Sequence, residues 1–379
     1  MKTPALTDLA CRVRQWMTRW LGQASGDVGV GGAAGAAVLE EEFNALALEL
    51  YAQQLAHNAA YRALSQPQEL GTVRHWRLIT PVPAAAFKEL EMTSLPAGQR
   101  TSVFCSSGTT GQTPSRHFHH AESLALYEAS LSAWFRVHML PTNGVMLMSL
   151  TPGVAQAPHS SLVHMFETVI RQFGGAGSRF CGEVEPDGTW LVDLAQVEKA
   201  FSEAHRINCP VLLLGTAFNY VHLLEEYQGA GRRIALPAGS RVLETGGYKG
   251  RVRSRPKQEL HAALSETLGV APAAIVAEYG MSELSSQAYD AVVGEESGPA
   301  GTGRVFRFPP WARAEIISPE TGRPVTEGDA GLVRIWDLAN VWSALAIQTE
   351  DLGVRRGAGF ELIGRAPRAE PRGCSLLMQ

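Results

Sequence analysis

The stretch Ser106-Ser107-Gly108-Thr109-Thr110-Gly111-Gln112-Thr113-Pro114-Ser115 packs hydroxyls and glycines into one loop directly after the strand-like Thr101–Cys105. Glycine lets a backbone approach a phosphate closely, and successive N–H groups with Ser and Thr hydroxyls can surround its oxygens. No Gly-Lys-[Ser/Thr] closes the stretch, so it is not a Walker loop. Taken alone, a solvated Ser/Gly turn explains it equally well.

Working outward, short β-rich runs alternate with helical patterns. Val145–Leu150, Val211–Leu214, Arg241–Thr245 and Ile275–Tyr279 read as strands, and Ala121–Phe135, Leu162–Phe173 and Lys257–Leu268 as helices. The run from Pro210 to Phe218 reads as a core strand. This alternation predicts an α/β protein whose sheets are covered by helices. Further on, Arg313–Ile317, Gly331–Trp336 and Phe360–Ile363 read as strands joined by turns, predicting a small β-rich subdomain. Before the loop, Phe43, Leu46, Ala47, Leu50 and Tyr51 recur at helical spacing after the acidic Glu40-Glu41-Glu42. The expected division is a flexible extension over 1–38, an α/β body over 39–300, the β-rich subdomain over 301–365 and a tail over 366–379.

The bulk numbers exclude several classes. A chain of 379 residues with 45% hydrophobic and 18% charged content can bury a large core. A formal net charge of −4 gives no general attraction to nucleic acid or anionic membrane. No apolar run approaches the roughly 18–20 residues that span a bilayer. The cysteines Cys11, Cys105, Cys181, Cys209 and Cys374 form no CxxC pair, which gives neither a disulfide framework nor a zinc spacing. With no secretory signal at the start, a cytoplasmic location is expected.

Other pieces follow the loop in order: Ala277-Glu278-Tyr279-Gly280-Met281-Ser282-Glu283, then Thr349-Glu350-Asp351, then Gly364-Arg365. Together with the Ser/Gly loop they resemble, in the same order, the signatures of the adenylate-forming superfamily of acyl-CoA synthetases, adenylation domains and firefly luciferase. Phe43–Leu48, Pro81-Val82-Pro83 with Phe87-Lys88, Glu244-Thr245-Gly246-Gly247-Tyr248-Lys249-Gly250 and the ending Arg372-Gly373-Cys374-Ser375-Leu376-Leu377 resemble the LuxE-type acyl-protein synthetases. That likeness covers about residues 40–379.

The resemblance implies an adenylate-forming N-terminal body without the usual C-terminal lid domain, since the chain runs only 14 residues past Arg365. It implies ATP and Mg²⁺. Ser106, Ser107, Gly108, Thr109, Thr110 and Gly111 would hold the phosphates; Gly246 and Gly247 would line the adenine and acyl site. Tyr279, in the motif with Gly280 and Ser282, would stack on adenine, Glu283 would ligate the metal, and Asp351 would bind the ribose hydroxyls. Arg365 would contact ribose or phosphate at the hinge. Cys374 would accept the acyl group, and nine residues from Arg365 can span at most roughly 30 Å. Arg372 beside it favours a thiolate, the competent nucleophile.

Two further residues are candidates on weaker grounds. His159 lies where an acyl-pocket residue is expected, with ordinary loop packing as the competing reading, and Lys249 is a cation standing in for the absent lid lysine or a plain surface residue. His117, His119 and His120 have strand-like spacing with no accompanying ligand pattern, and read as a satisfied polar face rather than a metal site. The expected activity is adenylation of a carboxylic, fatty-type acid, then transfer to Cys374 for an acyl-CoA reductase-like partner. A CoA ligase and a non-catalytic adenylate-binding subunit are the alternatives.

Overall fold

The computed structural model describes residues 4–24, 33–65, 72–106, 113–140, 144–186, 188–246, 256–295 and 304–366. A six-stranded sheet forms its centre, in the order Ala288–Tyr289, Ile275–Tyr279, Arg241–Thr245, Val211–Thr216, Met146–Ser149, Arg179–Phe180. Only Ala288–Tyr289 runs antiparallel to its neighbour. The parallel strands are apolar at successive positions because both faces are covered. Leu147, Leu212, Leu214, Leu243 and Val276 join one core cluster, with the helices Ala121–Met139 and Ser161–Phe173. Their neighbours Met146, Met148, Val211, Leu213, Val242 and Ile275 join another, with Leu194–Arg206, Ala217–Gly229 and Lys257–Leu268. The expected strand over Pro210 to Phe218 ends at Thr216, whose hydroxyl caps the next helix by accepting from Asn219 N at 3.1 Å.

The second sheet takes Val82–Pro83, Ala346–Arg356, Ala330–Asp337 and Ala312–Ile317 in that order, and Gly359–Arg365 also pairs with Ala346–Arg356. Val82–Pro83 joins it in parallel at an edge, where a proline's missing N–H is harmless. Trp311, Ile316, Val333, Ile335, Trp336, Ile347 and Phe360 from this region lie in the same core cluster as the helix Ala121–Met139.

Part of the extension expected over 1–38 packs onto the core. Pro4–Ala24 is a helix, and Leu6, Leu9, Val13, Trp16 and Met17 are buried on one side of it. Trp20 packs against Trp134 and Trp311 at ring distances of 5.5 and 6.0 Å. The basic residues Arg12, Arg14 and Arg19 stay exposed on the other side. The apolar stripe beginning at Phe43 belongs to a helix that starts earlier, Ala33–His57. Among the described residues, no helix is long and apolar enough to cross a membrane.

Candidate active site

The Ser/Gly stretch connects two antiparallel strands, Ser102–Cys105 and Arg116–His119, which pair as a hairpin. Ser107, Gly108, Thr109, Thr110 and Gly111 lie outside the described residues, but the base is fixed. Ser106 N donates to Ser115 O at 3.2 Å, and Ser115 N donates to the Ser106 hydroxyl at 2.9 Å. His159 sits beside this base: its carbonyl accepts from Cys105 N at 2.8 Å, and its Nδ1 is 3.2 Å from Val103 O. Its imidazole is thus engaged in supporting the hairpin strand.

Arg241–Thr245 and Ile275–Tyr279 run parallel, so their C-terminal ends lie side by side. Register places Thr245 beside Glu278, and the Thr245 hydroxyl donates to the Glu278 carboxylate. Burial, reinforced by the nearby Glu244 charge and partly offset by Thr245, pushes the Glu278 carboxyl up to about 7. Gly246 ends its strand at φ +68°, where a side chain is strained, yet a Cβ there would meet nothing within 4 Å. The turn requires this glycine; close packing against it does not. At Gly280 the reverse holds, because a Cβ would strike the Glu278 carboxylate. Gly247 and Lys249 lie outside the described residues.

Tyr279 is buried, its ring edge-on to Phe360 at 5.4 Å and close to Phe306 and Phe308. Its hydroxyl donates to Asp351 Oδ2 at 2.8 Å, and Arg365 Nε donates to Asp351 Oδ1 at 3.1 Å. Three motifs far apart in the chain therefore meet at one carboxylate. Asp351 lies in Ala346–Arg356, a strand absent from the sequence reading, and its register partner is Arg365. Asp351 is 15% exposed and Arg365 is 76% exposed. An ion pair so open contributes about 1 kcal/mol or less, so the guanidinium can turn to a ligand at little cost.

Glu283 is 6% exposed. Burial raises its carboxyl pKa, with the Ser115 hydroxyl and the Arg365 and Lys88 charges pulling the other way. Its carbonyl accepts from Asn340 Nδ2 at 2.9 Å, and Asp337 Oδ2 accepts from Ser285 N at 2.9 Å. Asn340 Oδ1 also accepts from the Ser285 hydroxyl at 2.6 Å, and Gln54 Nε2 donates to Asn340 O at 2.8 Å. Asp337 and Asn340 escaped the sequence reading; in the largely apolar segment from Leu332 to Ile347 they are two of four polar residues, with Arg334 and Ser343. Lys88 was noted only as part of a likeness.

The histidine reading also changes. The polar face read as satisfied is only partly so: His117 and His119 are both buried, with ring centroids 4.2 Å apart, and His119 Nε2 has no hydrogen-bond partner among the described residues. The outward residue between them is Phe118, against which Arg100 lies at 4.5 Å. His120 caps the helix Ala121–Met139 by accepting from Ser123 N. Among the described residues no group of three or more His, Cys, Asp or Glu side chains is placed to hold a metal. Ser282 contributes its carbonyl, 2.9 Å from His117 Nδ1. Cys374 lies outside the described residues.

Residues 38–379 match the family model described as "Acyl-protein synthetase, LuxE". The chain belongs to this family. A long-chain-fatty-acid–luciferin-component ligase of Aliivibrio fischeri is 30% identical over 79 residues, covering 18% of this chain and 21% of that one. The matched stretch is thus about a fifth of that relative. Among solved structures, 2-hydroxyisobutyryl-CoA ligase with 2-HIB-AMP and CoA in its thioesterification state superposes with a TM-score of 0.62 at 12% identity. That match covers 89% of this chain and 69% of the ligase. The ligase's open conformation gives 0.59 at 12%, covering 85% and 69%. The LuxE-family chain therefore has the α/β fold of adenylate-forming enzyme bodies.

Proposed function

We propose that this chain activates a carboxylic acid with ATP and passes the acyl group to its own Cys374. The observation that carries the reading is the convergence of Tyr279 and Arg365 on Asp351, with the Arg365 charge also acting on the buried Glu283. Asp351, held by the Tyr279 hydroxyl, accepts from the ribose hydroxyls, and the aromatic side of Tyr279 walls the adenine. The hairpin's N–H groups and hydroxyls take the phosphates.

Glu283 fits a magnesium ion. It is an oxygen donor whose burial outweighs the groups compensating it, and Mg²⁺ commonly takes one or two carboxylates beside substrate phosphates. When bound there, the ion would neutralise charge on the phosphate oxygens. Hairpin donors and Arg365 supply further stabilisation where charge develops.

In the first half-reaction a carboxylate oxygen of the acid attacks the α-phosphorus of ATP. The bond from that phosphorus to the bridging oxygen breaks and pyrophosphate leaves, giving an acyl-adenylate. In the second, the Cys374 thiolate attacks the acyl carbon, and the carbon–oxygen bond to AMP breaks. The thiol proton passes to solvent, and an acyl-thioester enzyme remains for a reductase-type partner. A fatty acid is the proposed substrate, supported by the relative's description as a long-chain-fatty-acid ligase.

Pyrophosphate release measured across acids of increasing chain length, without CoA, tests the reading. ATP- and acid-dependent release, with acyl label retained on the protein, is expected. Release with label appearing only on added CoA makes the chain a CoA ligase. No release with any acid removes the adenylation reading.

A further inference from the structure

The strand Arg116–His119 leaves the phosphate hairpin directly, and alternation turns Ser115, His117 and His119 inward, where all three are buried. The His117 ring lies T-shaped to Phe87 at 6.0 Å, and its Nδ1 is 2.9 Å from Ser282 O. A carbonyl only accepts, so Nδ1 carries the proton and donates. Burial pushes the imidazole down to about 4, leaving it neutral. A leucine would satisfy the packing at this depth; it would leave the Ser282 carbonyl without its donor.

Ser282 immediately precedes Glu283, and the Ser115 hydroxyl lies beside the Glu283 carboxylate. From the opposite side Asn340 grips the Glu283 carbonyl, and Asp337 the N–H of Ser285. Residues 282–285 are thus clamped between the 337–340 turn and the outgoing leg of the hairpin.

We propose that His117 is a positioning residue joining the phosphate hairpin to Glu283, so that nucleotide and Mg²⁺ binding are coupled through it. This rests on the adenylation reading. Coupling of two ligands is reciprocal: the factor by which Mg²⁺ tightens ATP equals that by which ATP tightens Mg²⁺. Loss of the His117 donor lowers this factor and leaves metal-free ATP binding in place.

The test measures ATP affinity of the full chain by calorimetry, in EDTA and in saturating Mg²⁺. The variants are His117→Leu, His117→Asn, His117→Gln, Glu283→Gln and the His117→Leu/Glu283→Gln double mutant. Affinity in EDTA should stay within about twofold of wild type in the three single His117 variants, the scatter expected for sites that do not interact. The Mg²⁺ enhancement should fall about tenfold or more in His117→Leu, the usual effect of removing a residue that orients a metal ligand. Asparagine, whose amide N–H falls near the Nδ1 position, should restore most of it; glutamine, whose amide reaches the Nε2 position, should not. If the leucine variant does not fold, this pair carries the comparison. The double mutant should lose no more than Glu283→Gln alone. Additive losses, or equal weakening with and without metal, overturn the coupling role. A wild-type chain that binds no ATP under either condition overturns the adenylation reading itself, and with it this inference.

Discussion

The Tyr279 hydroxyl reaches Asp351 Oδ2 across 2.8 Å and fixes a carboxylate borne by a different sheet. Tyr279→Phe removes that bond, worth about 1 kcal/mol, and leaves Asp351 tied only to an exposed arginine. The expected outcome is a five- to tenfold rise in KM for ATP, of about the size one such bond allows, with a small change in kcat. Asp351→Ala should raise KM further. Unchanged ATP dependence in both variants would remove the ribose assignment.

Glu283→Gln keeps the shape of the side chain and removes its charge. Because burial already disfavours that charge, the variant should fold with an unreduced melting temperature. Adenylation should drop by about 10²-fold or more, the scale of losing a preorganised electrostatic contact. Normal activity at ordinary Mg²⁺ concentrations would rule out a metal role.

Glu278 gives stability an unusual pH dependence. Its carboxyl titrates near 7 in the native state, against 4.5 in the unfolded chain. Between these values the native state holds more protons, so this group's contribution falls as pH rises and levels off above about 7. Asp337, raised from 3.8 to about 6, slopes the same way at lower pH. Glu278→Gln should therefore be more stable than wild type at pH 8, by at most about 3 kcal/mol. The difference should shrink towards pH 5. Denaturation curves that stay parallel across that range would contradict this.

Trp16, on the first helix, is 2% exposed. Trp16→Ala should cost about 3–5 kcal/mol, as for other buried tryptophans, lowering the urea midpoint with little effect on KM for ATP. A loss below about 1 kcal/mol, typical of surface positions, would mean that the helix contributes little to the core.

Cys374→Ser should still release pyrophosphate, because the thiol acts only after activation. It should not accumulate hydroxylamine-sensitive acyl label, since a hydroxyl is rarely ionised at neutral pH and is the weaker nucleophile. Label on Cys105, Cys181 or Cys209, or full labelling of the serine variant, would remove the acceptor assignment.

The parallel strands were legible because burial on both faces writes continuous apolar runs such as Val211–Leu214, and Lys257–Leu268 was bounded by Pro256 and Gly269. The docking of the first helix was not legible, because partners of its apolar side such as Trp134 and Trp311 lie over a hundred positions away. The strand Ala346–Arg356 was missed because Gln348, Glu350, Asp351 and Arg355 break its apolar alternation. The order of Tyr279, Asp351 and Arg365 along the chain was visible, but their meeting at one carboxylate is a product of sheet register. Asn340 and Asp337 hold the Glu283 carbonyl and the Ser285 N–H as well as the Ser285 and Ser286 hydroxyls, contacts between segments more than fifty positions apart that no local pattern announces.

Ala366 N donates to Glu350 O at 2.9 Å, one residue from Asp351, so the chain is anchored beside the proposed nucleotide site where it leaves the sheet. A thiol tethered there, with a reach of roughly 30 Å, is confined to a volume equivalent to a concentration on the order of 10 mM. A free thiol would need a comparable concentration to compete for the same adenylate. On the proposed mechanism, lengthening the segment between Arg365 and Cys374 should therefore dilute the acceptor without touching the chemistry, shifting the acyl group progressively towards soluble nucleophiles.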